Sequence, residues 1–119
     1  MNKFYFLSSC STCKRIIDEL DIPDDIRLID IKKDPITSNE LKELYMLTGL
    51  YENLFNKRAR LLRERNINTE TLAEEDYKKL LLEHYSFLKR PILILENSLF
   101  IGNSKQTVAN AISFLRKRA

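Results

Sequence analysis

Two cysteines three positions apart, Cys10 and Cys13, form the one cluster of residue types in this chain that points directly to chemistry. The segment Cys10-Ser11-Thr12-Cys13 follows a short apolar run, Lys3-Phe4-Tyr5-Phe6-Leu7, and precedes a stretch in which Ile16, Ile17 and Leu20 recur at helical spacing. The pair therefore falls where a strand hands over to a helix. Backbone N–H groups at a helix start lack intrahelical partners and carry partial positive charge, so a thiolate there is stabilised. Its pKa drops below the free value of about 8.5. Cys10, at or before the first turn, is the expected nucleophile. Cys13, inside the turn and less exposed, is the expected resolving thiol, and Lys14 and Arg15 add positive charge nearby. Two alternatives stay open: half of a zinc site, or two inert buried thiols. The zinc reading lacks ligands, since the chain has no further cysteine and a single histidine, His84. No metal is expected.

The elements that must position this pair follow from periodicity. Residues 3–7 read as a buried strand, and residues from Ser11 onward as a helix with Lys14, Arg15, Asp18 and Glu19 on its wet face. Ser9 or Ser11 is the expected cap. Asp21-Ile22-Pro23-Asp24-Asp25 breaks the helix and residues 26–31 give a second strand, completing a βαβ unit. Thr37-Ser38-Asn39-Glu40 has capping-box form ahead of a helix that Gly49 stops, and Thr71-Leu72-Ala73-Glu74 is a second candidate, opening a helix that contains Tyr77, Leu80, Leu81 and His84. Short helical turns lie between them. Arg90-Pro91, the apolar run 92–95, the turn Glu96-Asn97-Ser98 and the run 99–101 read as a hairpin, followed by a closing helix over 107–118. Phe4, Tyr5 and Phe6 are expected in the core, and Pro91 is expected to open an edge strand, where it removes no ladder bond. The order β-α-β, helices, β-β-α gives an α/β fold: a four-stranded mixed sheet flanked by helices, in one domain over 1–119 with a helical insertion at about 37–88.

Bulk properties bound the function classes. The 119 residues carry 44% apolar and 31% charged side chains with a net charge of +3, an ordinary globular composition that does not demand nucleic acid. No apolar run approaches the roughly 20 residues that span a bilayer, and the start of the chain lacks a signal-peptide pattern, so a cytoplasmic protein with no membrane partner is expected. With two glycines, Gly49 and Gly102, there is no Gly-rich phosphate loop, and no bound nucleotide or flavin cofactor is expected. Of the basic run from Lys57 to Arg65, Arg60, Arg63 and Arg65 read as a solvated face. His84 reads as a structural or surface residue, not a catalytic one.

Together, Tyr5, Cys10-Ser11-Thr12-Cys13-Lys14-Arg15, Asn56-Lys57-Arg58, a helix over 72–88 and Phe87-Leu88-Lys89-Arg90-Pro91-Ile92 resemble the arsenate reductase (ArsC)/Spx family. The resemblance spans nearly the whole chain. It implies a thioredoxin-like fold, a cis bond before Pro91, and Cys10 as the nucleophile that forms a thiol adduct. Arg58 and Arg90 would hold an oxyanion through planar, bidentate donors, with Ser11, Thr12 and Pro91 also at the substrate. It further implies an external reductant, glutathione with glutaredoxin, or thioredoxin; a small oxyanion or thiol substrate; and a monomer. Two features depart from the reductase pattern. Phe6 stands where a histidine is expected four residues before the cysteine, and no third arginine follows between Ile92 and Gln106. Cys13 is more typical of the Spx branch, which implies the alternative of a redox-switched transcription regulator that binds RNA polymerase, with Arg90 near its disulfide.

Overall fold

The computed structural model describes residues 2–118. They divide into two compact units: one built from the two ends of the chain, up to Asp34 and from Arg90 onward, and a second over Pro35–Lys89.

The first unit is a four-stranded mixed sheet with two helices. Strands β1 (Lys3–Phe6), β2 (Arg27–Asp30), β3 (Ile92–Leu95) and β4 (Ser98–Ile101) lie in the order β2-β1-β3-β4. β1 runs parallel to β2, as a βαβ unit requires, and antiparallel to β3, whose hairpin with β4 closes the far edge. Helices α1 (Ser11–Leu20) and α5 (Lys105–Arg118) pack on the face that carries Phe4, Leu93 and Leu95, through Ile16, Leu20, Ala111 and Leu115. Tyr5, Ile92 and Ile94 point to the opposite face and are buried as well. β3 is buried along its whole length, which explains its unbroken apolar run. Phe6 is only half-buried and stacks on Phe4, with ring centroids 6.3 Å apart.

Several expectations need correction here. β3 lies between β1 and β4, so Pro91 does not open an edge strand; it sits one residue outside the ladder, where its missing N–H costs nothing, and its carbonyl accepts from Gly102 N–H at 2.8 Å. α5 begins at Lys105, two residues before the expected start, because Ser104 Oγ accepts from Thr107 N–H at 3.1 Å and so caps the helix. Neither Ser9 nor Ser11 caps α1: the capping position belongs to Cys10, in extended conformation.

The second unit is helical. α2 (Ser38–Thr48) starts at the expected capping box, with Glu40 N–H donating to Thr37 Oγ1 at 3.1 Å and Thr37 N–H to Glu40 Oε1 at 3.0 Å. It ends at Gly49, whose φ of +87° is the left-handed cap that glycine accepts without strain. Single turns at Tyr51–Leu54 and Thr69–Thr71 flank the short α3 (Arg60–Glu64). α4 (Glu74–Glu83) does not start from Thr71: Ala73 is the cap residue, and Asp76 accepts its N–H at 2.8 Å, so only the acidic half of a capping box is present. α4 also stops before His84, which is extended rather than helical and caps the following turn, Tyr85–Phe87, by accepting Ser86 N–H on Nδ1 at 3.1 Å. The helix over 72–88 is therefore a helix and a separate turn. The core of this unit is aromatic. Phe55 stacks on Phe87 at 5.4 Å and meets the edge of Tyr77 at 4.8 Å.

Candidate active site

Cys10 reaches its position through a tight connection. After β1, Leu7 is buried, and Cys10 N–H donates to Leu7 O at 2.9 Å, turning the chain into α1. Lys14 N–H then donates to Cys10 O at 3.2 Å, the first intrahelical bond. A helix cap normally supplies a side-chain oxygen to the free N–H groups of the first turn. Here no side-chain hydrogen bond caps the helix, and the residue in that place offers sulfur instead.

The consequence is a pair of thiols with opposite acidities. Partial burial pushes the Cys10 thiol up. The Cys13 N–H, the Cys13 thiol, the Thr12 N–H and the Arg90 guanidinium together outweigh it, so the Cys10 pKa falls below its ordinary value. Cys13 is fully enclosed, and burial pushes its pKa up to about 11, with the Cys10 side chain adding to the rise and the Leu7 backbone and Arg90 opposing it. Both cysteines are free thiols. The structure thus brings Cys10, Ser11, Thr12, Cys13 and Arg90 together in one unit. Ser11 and Thr12 occupy the first two helical positions, Ser11 exposed and Thr12 half-buried.

Arg90 comes from the far end of the sequence. The antiparallel register pairs Tyr5 with Ile92, so residues just before β3 lie beside those just after β1. Pro91 is buried, and the Arg90–Pro91 peptide bond is cis. Lys14 and Arg15 are exposed, and Arg15 turns to Glu19 at 3.5 Å, so the positive charge that acts on Cys10 is that of Arg90.

Arg58 belongs to the 35–89 unit. Its side chain is exposed, and its N–H donates to Asn56 Oδ1 at 3.1 Å. Asn56 is itself fixed by Phe87 O, which accepts its N–H at 2.7 Å, and by Ser86 O, which accepts from Nδ2 at 3.3 Å. Lys57 pairs with Glu52. Arg58 lines two open surface grooves, one with Asn56 and Lys89 and one with Arg63 and Asn68. Arg60, Arg63 and Arg65, expected to be a solvated face, are all exposed, and Arg65 also lies over the Phe87 ring at 5.7 Å and against Glu83 at 2.7 Å.

Asp30 went unremarked in the sequence. It ends β2 with 9% of its surface exposed, and its Oδ1 accepts from Ser8 N–H at 3.3 Å and Lys32 N–H at 3.2 Å. The available signal was a lone acid inside the apolar run Ile29-Asp30-Ile31. Among the described residues, no three His, Cys, Asp or Glu side chains gather into a metal-binding group. No helix among them is long and apolar enough to cross a membrane.

The model of the ArsC family matches residues 5–111, from β1 into α5. The chain belongs to the ArsC family. The global transcriptional regulator Spx 1 of Bacillus cereus is 30% identical over 112 residues, covering 91% of this chain and 84% of the regulator. Among solved structures, an ArsC family related protein from Bacteroides fragilis superposes with a TM-score of 0.73 at 26% identity, covering 92% of this chain and 96% of that one. An arsenate reductase from Vibrio cholerae superposes at 0.74 over 94% of this chain and 95% of its own, and at 19% identity it speaks for the fold alone. The four-stranded mixed sheet with its flanking helices, and the match to the Bacteroides fragilis ArsC family related structure, make this chain thioredoxin-like, as the resemblance implied.

Proposed function

We propose that this protein is a thiol-dependent oxidoreductase, similar to arsenate reductases, in which Cys10 attacks and Cys13 resolves. The observation that carries the reading is the division between the two thiols: Cys10 acidified at the helix start beside Arg90, and Cys13 enclosed with its pKa near 11. A thiolate is the attacking form of a thiol, so Cys10 is the nucleophile of the pair at neutral pH. It bonds to the sulfur of an oxidised thiol or to the arsenic of arsenate, displacing a thiolate or an oxygen that leaves as water. Cys13 then loses its proton and attacks the Cys10 sulfur. The Cys10–Cys13 disulfide forms, and the substrate departs reduced by two electrons. An external thiol, glutathione with glutaredoxin or thioredoxin, returns both electrons to the disulfide. For an oxyanion, Arg90 supplies the planar donor beside Cys10, and Ser11, Thr12 and Pro91 the surrounding contacts.

A second reading is favoured by the 30% identity to an Spx regulator and by the presence of Cys13. In it the same disulfide is a switch that changes affinity for RNA polymerase and turns over no substrate.

One experiment separates them. Reduced protein is given arsenate or glutathione disulfide, with glutaredoxin or thioredoxin, and reductant consumption is followed. The oxidoreductase reading expects sustained consumption. Cys10→Ser should abolish it, and Cys13→Ser should stop at a mass-detectable adduct on Cys10. No consumption with any of these donors, together with redox-dependent capture of a polymerase subunit, would replace the first reading with the second.

A further inference from the structure

Asp30 is charged, buried and only half satisfied. Its Oδ1 takes the two N–H bonds from Ser8 and Lys32, while Oδ2 is buried with no hydrogen-bond partner. The Ser8 hydroxyl, working against the effect of burial, together with the Lys32 and Ser8 N–H groups and the Lys33 charge, holds its carboxyl below the usual range, so it is ionised at neutral pH. Keeping a buried carboxylate with an idle oxygen is unfavourable unless its other bonds matter. What those bonds hold is the loop that delivers Cys10. Ile31 N–H donates to Phe6 O at 2.9 Å, Asp30 Oδ1 takes Ser8 N–H, and Cys10 N–H donates to Leu7 O at 2.9 Å. Between the end of β1 and the start of α1 the chain is thus anchored at Phe6 and Ser8 by β2 and folded back at Cys10.

We infer that Asp30 is a positioning residue for Cys10: by clamping Ser8 from the end of β2, its carboxylate fixes the 7–10 turn so that the Cys10 sulfur faces the Thr12 and Cys13 N–H groups. The inference rests on Cys10 being the reactive thiol of the proposed function. Asp30 acts through hydrogen bonds, not through its charge, and the two routes have opposite signs. A negative charge near a thiol raises its pKa, so a purely electrostatic Asp30 would, on neutralisation, make Cys10 more acidic. A clamp, on removal, lets the sulfur drift from those N–H groups and makes Cys10 less acidic.

The test is the pH profile of Cys10 alkylation by iodoacetamide in the reduced full chain, with the site of addition read by mass. Asp30→Ala should raise the Cys10 pKa and slow alkylation at pH 7 by about tenfold, the rate change of a one-unit rise in pKa. Asp30→Asn keeps an oxygen for Ser8 N–H and should fall between wild type and the alanine variant. Ser8→Ala, a mild change outside the ladder, should shift the profile less but in the same direction, and it decides the matter together with Asp30→Asn if the alanine variant does not fold. An unchanged or lowered Cys10 pKa in the folded variants would overturn the clamp and leave the proposed function standing. A wild-type Cys10 that titrates at the ordinary value would instead remove the proposed function itself.

Discussion

Cys10 and Cys13 are chemically identical and one helical turn apart, yet one occupies the position just before α1 and the other is buried within its first turn. This difference has a consequence for stability. Cys13 keeps its proton in the folded protein up to about pH 11, whereas in the unfolded chain it ionises near the ordinary value of about 8.5. Between those values the unfolded chain holds fewer protons, so folding stability is intact below the lower value and falls as pH rises through the upper one. Cys10 has the opposite sign: its depressed pKa adds stability as pH rises through that lowered value toward about 8.5. Urea unfolding of reduced protein from pH 8 to 11 should show wild type losing on the order of 2 kcal/mol more than Cys13→Ala over that range. Comparison with the variant removes the parallel contribution of Tyr77, whose pKa burial also raises. Equal slopes would mean that Cys13 titrates as a free thiol does.

At the scale of elements, caps decide where helices begin, and not all caps are legible in a sequence. Thr37 and Glu40 satisfy each other's backbone N–H groups, and the four-residue signature announced them. Thr37→Ala should cost about 1 kcal/mol in urea unfolding, with amide exchange rising first in the opening turn of α2. No change in either would make the box a surface ornament. At Thr71 a similar signature misled. The Thr71 hydroxyl donates to Asn68 O at 2.8 Å within its own turn, leaving Asp76 to serve the start of α4. A hydroxyl has several backbone partners within reach, and the sequence does not say which it takes. His84 shows the same limit. Its spacing continues the apolar stripe of α4, but the helix ends at Glu83 and the imidazole serves the next turn.

On the scale of the whole molecule, each of the two units has its own core, and each core can be probed separately. Phe55 is fully buried between Phe87 and Tyr77, so Phe55→Ala should cost about 3–5 kcal/mol and lower exchange protection within residues 35–89. Protection that falls instead only in the sheet would contradict this assignment of the core. The sequence by itself determined the alternation of elements, the class of fold, the apolar faces of α1 and α5, and the cysteine pair at a strand-to-helix junction. All of these are local: they are written in spacing, in capping residues and in the composition of short runs. Only the tertiary structure decided that β3 is internal and that Asp30 reaches back to Ser8, and it brings Arg90, which spacing alone did not place and the family resemblance did, beside a cysteine eighty positions earlier in the chain. Strand order and register set those neighbours, and the period of a strand is the same wherever in the sheet it lies. The place of Cys10 at the helix start marks it as the acidic thiol of the pair through the local Cys13 and Thr12 groups, and the tertiary structure adds the burial that raises Cys13 and the Arg90 charge.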